Sequence, residues 1–220
     1  MKRNIKRGTL LYKLYLYYSL FFKEKFFLKR NQYSQWGEDI IINNYFKNKI
    51  GKYVDIGCFH PIRHNNTCLL YNRGWHGINI DLNPASIDFF NLIRKKDINI
   101  NAAISNESNQ EKKIYFEHYF STVNSFYPKH LDNLGVNYTE QIVKTKKFSD
   151  IVKTNFDFLN IDCEGEDLKI LKSIDLKIYT PKLICIEIDD LNNEIIFFDY
   201  LKENGYSFFD KRKFSYLFIK

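Results

Sequence analysis

The sequence predicts an α/β fold: a mostly parallel central sheet with helices on both faces, closed by an antiparallel C-terminal edge pair. Three observations predict it. From about residue 35 onward, short apolar runs alternate with stretches of helical periodicity. The apolar runs close on acids, at Asp55, Asp81, Asp162 and Glu187. The C-terminal part holds two aromatic runs, 205–209 and 214–219, joined by the basic turn Lys211-Arg212-Lys213, which suits an antiparallel edge.

The chain divides into a basic, aromatic helical segment, 1–33, and one domain, 34–220, long enough to bury a core without disulfides. An apolar share of 45% against 27% charged excludes wholesale disorder. Cys58, Cys68, Cys163 and Cys185 form no C-x-x-C pair and read as free thiols in a reducing, cytoplasmic setting.

In the first segment, Lys2, Arg3, Lys6, Arg7, Lys13, Lys23, Lys25, Lys29 and Arg30 are opposed only by Glu24. The apolar run 10–22 is interrupted by Lys13 and followed by Lys23-Glu24-Lys25 with no small-residue cleavage site, which argues against a secretory signal. It is also short of the ~20 apolar residues of a spanning helix. It is expected to lie on a surface: either the anionic inner face of a membrane, through residues 1–30, or the protein's own sheet.

In the domain, Ile40, Ile41, Tyr45 and Phe46 share a helical face ahead of strand 53–56. Strand 77–81 leads into Asn83-Pro84, and the proline suits the first turn of helix 85–94. Strand 98–103 follows, then an additional strand, 113–119, and a polar, Tyr-rich irregular connection, 121–141, of the kind that carries substrate contacts. Strand 156–161 precedes helix 166–174, with Leu168, Ile170, Leu171 and Ile174 inward. Strand 183–188 and helix 194–204 come before the closing pair, and Trp36 and Trp75 are expected in the core.

Ligands of open α/β sheets sit beyond the carboxyl ends of the strands, where this chain gathers its acids. Gly57 permits close approach of a ligand to the first turn. That turn, Gly57-Cys58-Phe59-His60-Pro61, lacks the further glycines of a pyrophosphate-binding fingerprint, which disfavours a dinucleotide or a nucleoside triphosphate. Asp81 suits both hydroxyls of a ribose. An acid-rich rim tolerates a cationic sulfonium and repels a triphosphate, and S-adenosyl-L-methionine meets both conditions.

Four stretches taken together resemble the FkbM-type methyltransferases, a likeness spanning 34–189. They are Ser34-Gln35-Trp36-Gly37-Glu38-Asp39; Tyr53-Val54-Asp55-Ile56-Gly57-Cys58-Phe59-His60-Pro61; Asn65-Asn66-Thr67 with the run from Leu70 to Pro84; and Phe156-Asp157-Phe158-Leu159-Asn160-Ile161-Asp162-Cys163-Glu164-Gly165. The resemblance implies a Rossmann-like S-adenosylmethionine-dependent methyltransferase acting on an oxygen, commonly a sugar or natural-product hydroxyl. By matching position it implies Asp55 and Gly57 beside the methionine part, Asp81 at the ribose, and Asn101 and Ala102 at the adenine. It further implies Asp162 beside the sulfonium, and Gln35, Glu38 and Thr67 on the pocket floor. Cys58 departs from the family's usual small residue but is itself small. With little chain left for an acceptor domain, the acceptor falls to 121–141, the N-terminal segment or another subunit.

Methyl transfer to a hydroxyl needs orientation and a base for the departing proton. Asp162 and Glu164 are the candidates, with His60 and His64 behind them. A divalent ion, magnesium, on Asp162 with Glu187 or Asp189 is the less favoured alternative. The expected function is O-methylation of a sugar, glycan or glycolipid-type hydroxyl. The alternatives are an inactive membrane-docked scaffold and, less favoured, an RNA methyltransferase, since the positive residues crowd one helix rather than a groove. Oligomeric state is left open.

Overall fold

The computed structural model of this chain describes residues 5–24, 31–118, 128–133 and 135–220. Helix α1 (Leu10–Tyr18) runs into a π-helical turn (Ser19–Lys23). Then come α2 (Glu38–Phe46), β1 (Lys52–Ile56), α3 (Cys68–Asn72), β2 (His76–Asp81), α4 (Pro84–Ile93), β3 (Ile98–Asn101), β4 (Ala103–Ser105) and β5 (Glu111–Phe116). The second half holds α5 (Pro128–Asn133), β6 (Thr139–Lys147), α6 (Phe148–Ile151), β7 (Phe158–Ile161), α7 (Asp167–Ser173), β8 (Leu183–Glu187), α8 (Glu194–Glu203), β9 (Ser207–Arg212) and β10 (Ser215–Ile219).

Among the described residues, seven strands form one sheet in the order β3-β2-β1-β7-β8-β10-β9. The first five are parallel, and β10 pairs antiparallel with both β8 and β9, as the sequence led us to expect. The strand order reverses between β1 and β7, so a crevice opens at their carboxyl ends.

Both faces of this sheet are covered, and period two sorts the side chains. Val54, Ile56, Leu159, Ile161, Ile184 and Ile186 meet Ile170 and Leu171 of α7 and Phe197 and Leu201 of α8. On the other face Tyr53, Phe158, Leu183, Cys185 and Leu217 meet Ile42 and Phe46 of α2, with Trp75. The side of α2 that is fully buried carries Asp39, Ile42 and Phe46 rather than the expected Ile40 and Tyr45. Gly77 is required by packing, since a Cβ there would fall 2.1 Å from the Tyr53 carbonyl oxygen.

Several expectations are corrected. Strand 98–103 is two strands: β3 ends the main sheet and, after Ala102 alone, β4 enters a second sheet ordered β4-β6-β5. The irregular stretch 121–141 contains helix α5 and the start of β6; its residues 121–127 and 134 lie outside the described residues, as do 1–4 and 25–30 of the N-terminal segment. Helix α3 lies where none was expected. Trp75 is fully buried, but Trp36 is 45% exposed, its ring capped by the Lys213 ammonium at 3.9 Å.

Candidate active site

A cavity of about 330 Å³ opens at the switch point, a volume within the usual range of small-molecule sites. Its rim comes from the ends of β1, β2 and β7 and the turns after them. Gly57 adopts φ 78°, and its backbone lies against the turn after β7. The amides of Gly57 and Asp162 bond the Ile80 and Ile56 carbonyls, locking the three strand ends together.

Asp55 lines the cavity but is sealed from bulk water, 1% exposed. Its carboxylate accepts from Asn160 Nδ2 at 2.8 Å, Thr67 Oγ1 at 3.0 Å and Asn65 Nδ2 at 3.4 Å. Burial pushes its pKa up, and those donors pull it back. Asn65 is held in turn by Arg94, whose buried guanidinium donates to Asn65 Oδ1 at 2.9 Å and to the Pro61 carbonyl at 2.7 Å. Thr67 therefore supports the floor from behind without lining it.

Asp81 closes β2 with both oxygens engaged: the Phe59 amide donates to one at 2.8 Å and the Asn83 amide to the other at 2.7 Å. Burial nevertheless raises it to about 6. The Ser86 side chain is a third donor to this carboxylate, which still keeps acceptor capacity for a hydroxyl. Ala102 lines the adjoining wall, while Asn101 stands behind it, its amide donating to the Asp81 and Leu82 carbonyls at 2.9 Å each.

Asp162 and Glu164 face the cavity from the turn after β7. Asp162 hydrogen-bonds Glu187 at the end of β8, and loss of hydration together with this second carboxyl holds Asp162 well above the ordinary carboxylate range. Glu187 is pushed to about 8 by loss of hydration and by the neighbouring acids Asp167 and Glu164. Glu164 rises to about 7 through loss of hydration between the cavity walls and the charges of Asp162 and Asp189. Behind them Asp167 clamps the turn by accepting from the Cys163 and Gly165 amides at 2.8 and 3.1 Å; burial takes it to about 7.

Backbone strain gathers at the same place. Of the six described non-glycine residues with positive φ, three, Phe59, His64 and Glu164, line the cavity. Such conformations cost energy and persist where surrounding structure enforces them, as around binding sites.

The remaining expected residues divide. Gln35 and Cys58 line the cavity. Glu38 sits outside its lining, accepting from the Trp36 amide at 2.8 Å and from Ser215 Oγ at 3.3 Å. His60 is also outside: its ring is 3% exposed and packs on Phe89 at 4.9 Å, and its Nδ1 accepts from the Ile62 and Arg63 amides. Burial lowers its pKa well below the usual value. Asp162, Glu164 and His64, by contrast, line the cavity. Asn160 and Asn65 were missed, although Asn160 is a polar residue amid an apolar strand. Among the described residues no three His, Cys, Asp or Glu side chains come together in a metal-ligating arrangement.

The lining as described holds Asp55, Asp81, Asp162 and Glu164 and neither Lys nor Arg. That chemistry fits a ribose diol and a cationic sulfonium and leaves a phosphate uncompensated. The sequence model of the methyltransferase FkbM domain matches residues 50–208. This chain belongs to the FkbM methyltransferase family. A search of curated proteins finds no match. Among solved structures, the methyltransferase FkbM of Methylobacillus flagellatus KT aligns with a TM-score of 0.51 at 14% identity, over 78% of this chain. This chain spans 44% of that protein's length. A precorrin-6y C5,15-methyltransferase of Geobacter metallireducens GS-15 aligns at TM-score 0.43 and 12% identity, over 83% of this chain and 88% of that one. The 16S rRNA methylase ArmA aligns at 0.42 and 14%, over 83% and 81%. The FkbM family member thus has the Rossmann-like methyltransferase fold, and the family's general methyl donor is S-adenosyl-L-methionine.

Proposed function

We propose that this chain transfers the methyl group of S-adenosyl-L-methionine to a hydroxyl oxygen of a sugar, glycan or glycolipid-type acceptor. The observation that carries the reading is a cavity with four acids and no cation, in which one carboxyl, Glu164, is poised near neutrality. The bound donor supplies an electrophilic methyl group on a cationic sulfonium. Asp81 accepts from the ribose hydroxyls, and Ala102 and Leu82 offer the apolar wall for the adenine. Glu164 accepts the proton of the acceptor hydroxyl, since a base with a pKa near the working pH is the efficient one. The Asp162–Glu187 pair, with both carboxyls raised, ionises more readily once a sulfonium charge lies beside it. Orientation supplies most of the rest.

An RNA acceptor is less well supported, because residues 31–220 hold 24 Lys and Arg against 25 Asp and Glu and so carry no net positive field. The test is calorimetric titration with S-adenosylhomocysteine. Wild type binds and Asp81→Ala does not; unaltered affinity in the variant sinks the assignment.

A further inference from the structure

Helix α1 is apolar on two sides, and only one of them meets the protein. Tyr12 and Leu16, with Leu20 of the following turn, pack on Ile62, Cys68, Ala85 and Phe89. The segment is pinned at both ends. Arg7 binds Asp88 through two bonds of 2.7 and 2.9 Å, and Tyr12 donates to the same carboxylate at 2.7 Å. Glu24 pairs with Arg63 at 3.4 Å.

The other side carries Leu10, Leu11, Leu14, Tyr17, Tyr18, Phe21 and Phe22, each 46–74% exposed. Their spacing of three and four residues joins them into one stripe. Tyr17 stacks on Phe21 and Tyr18 on Phe22, both at 6.2 Å, so the surface is already arranged. Contiguous exposed apolar patches of this kind mark interaction surfaces.

Charge identifies the occupant. The first thirty residues carry nine Lys and Arg and one acid, whereas the other 190 carry 24 and 25, so the chain's net +7 belongs to this segment alone. Lys6, Lys13 and Lys23 are exposed along the stripe. A second copy would bring two such positive surfaces together, whereas an anionic bilayer neutralises the cations and buries the apolar side chains at the headgroup boundary. We propose that the outer face of α1 and its π-helical turn docks this protein on an anionic membrane surface.

The end of the docked segment is linked to the cavity through Arg63. The Arg63 guanidinium that holds Glu24 also covers the Phe59 ring at 5.1 Å, and Phe59 and His64 line the cavity. If the methyl-transfer reading above holds, the acceptor hydroxyl belongs to a molecule held in that membrane; the docking itself does not depend on that reading.

The experiment is co-sedimentation of the full chain with phosphatidylcholine vesicles, with and without phosphatidylglycerol, beside a Leu14→Glu/Phe22→Glu double variant. Both positions are exposed, and S-adenosylhomocysteine titration and circular dichroism report separately on the cavity and the fold. Wild type is expected to bind the anionic vesicles, at least about tenfold more weakly without phosphatidylglycerol or in the double variant. No binding to anionic vesicles, equal binding to both compositions, or undiminished binding by the variant overturns the proposal. So does sedimentation equilibrium showing a dimer that the substitutions dissolve, which would assign the face to a second copy. Loss of S-adenosylhomocysteine binding by wild type, with vesicle binding intact, overturns the reaction and not the docking.

Discussion

A Cβ added to Gly57 would fall 1.7 Å from the carbonyl oxygen of Asp162. The turn after β1 thus lies with its backbone against the backbone of the turn after β7, with the Cys163 sulfur beside the contact, and no side chain fits at Gly57. Gly57→Ala must therefore move one of the two turns and also force a side chain into φ 78°. The expected cost is on the order of 3 kcal/mol, with S-adenosylhomocysteine affinity falling in parallel. Urea unfolding and calorimetry measure the two; a variant with unchanged stability contradicts the close contact.

Arg94 should be as critical without touching the cavity. It is 1% exposed, bonds Pro61 and Asn65, and lies 3.8 Å from Asp97. Arg94→Met removes the cation facing buried Asp97, which keeps its bonds from Tyr53, Gly77 and Asn79, and leaves the Pro61 carbonyl without its donor, an expected loss of roughly 3–5 kcal/mol. Denaturant midpoints of variant and wild type decide it.

The ligand-free protein should lose one stabilising contribution as pH rises. Asp167 is buried and moved up to about 7, so the folded state keeps a proton that the unfolded chain releases near the ordinary value of 3.8. Its stabilisation is full below that ordinary value and fades as pH passes through about 7. The melting temperature of wild type relative to Asp167→Asn is expected to fall by a few degrees from about pH 5 to about pH 8. A flat difference refutes the shift.

If Glu164 takes the acceptor proton, turnover rises with pH through about 7, where the carboxylate forms. Glu164→Gln should lower kcat by roughly 10²–10⁴ and leave S-adenosylhomocysteine affinity nearly unchanged. A variant that keeps its kcat removes Glu164 from the role and leaves Asp162 or His64 as the base.

The acid rim also separates donor from product. S-adenosylmethionine carries a sulfonium charge that S-adenosylhomocysteine lacks, so ionisation of Asp81, Glu164 and the Asp162–Glu187 pair should favour the former. The ratio of their affinities, measured by calorimetry, is expected to increase between about pH 6 and about pH 8. A pH-independent ratio argues against a sulfonium beside these carboxyls.

Much of this was legible in the residues. β1, β2, β7 and β8 are short apolar runs ending at acids or turns, and the sheet order then puts those ends side by side. β6 was hidden because Thr-Glu-Gln-Ile-Val-Lys-Thr-Lys-Lys is mostly polar; in its small sheet Thr145 is buried while Ile142 is 65% exposed. No apolar alternation marks such a strand. α3 was hidden by its length, about one turn, too short for a period to show. In the site, strand-end acids were found because the fold puts them there, whereas His60 and Glu38 were misplaced because a motif gives proximity along the chain and not the direction of a side chain. His60 turned away because two backbone amides of its own turn needed its ring nitrogen.

The single residue between β3 and β4 determines where this chain can change length. Ala102 is at once the wall of the cavity and the step from one sheet to the other. Deleting or adding a residue there would turn every β4 side chain to the opposite face and pull Ala103 and Ile104 out of the cavity wall. At the other end of the small sheet, where Phe116 pairs with Thr139, extra residues only lengthen a ladder that leads away from it. Insertions are thus admitted on the outer rim and forbidden at Ala102, and an insertion scan across 98–147 would trace that boundary.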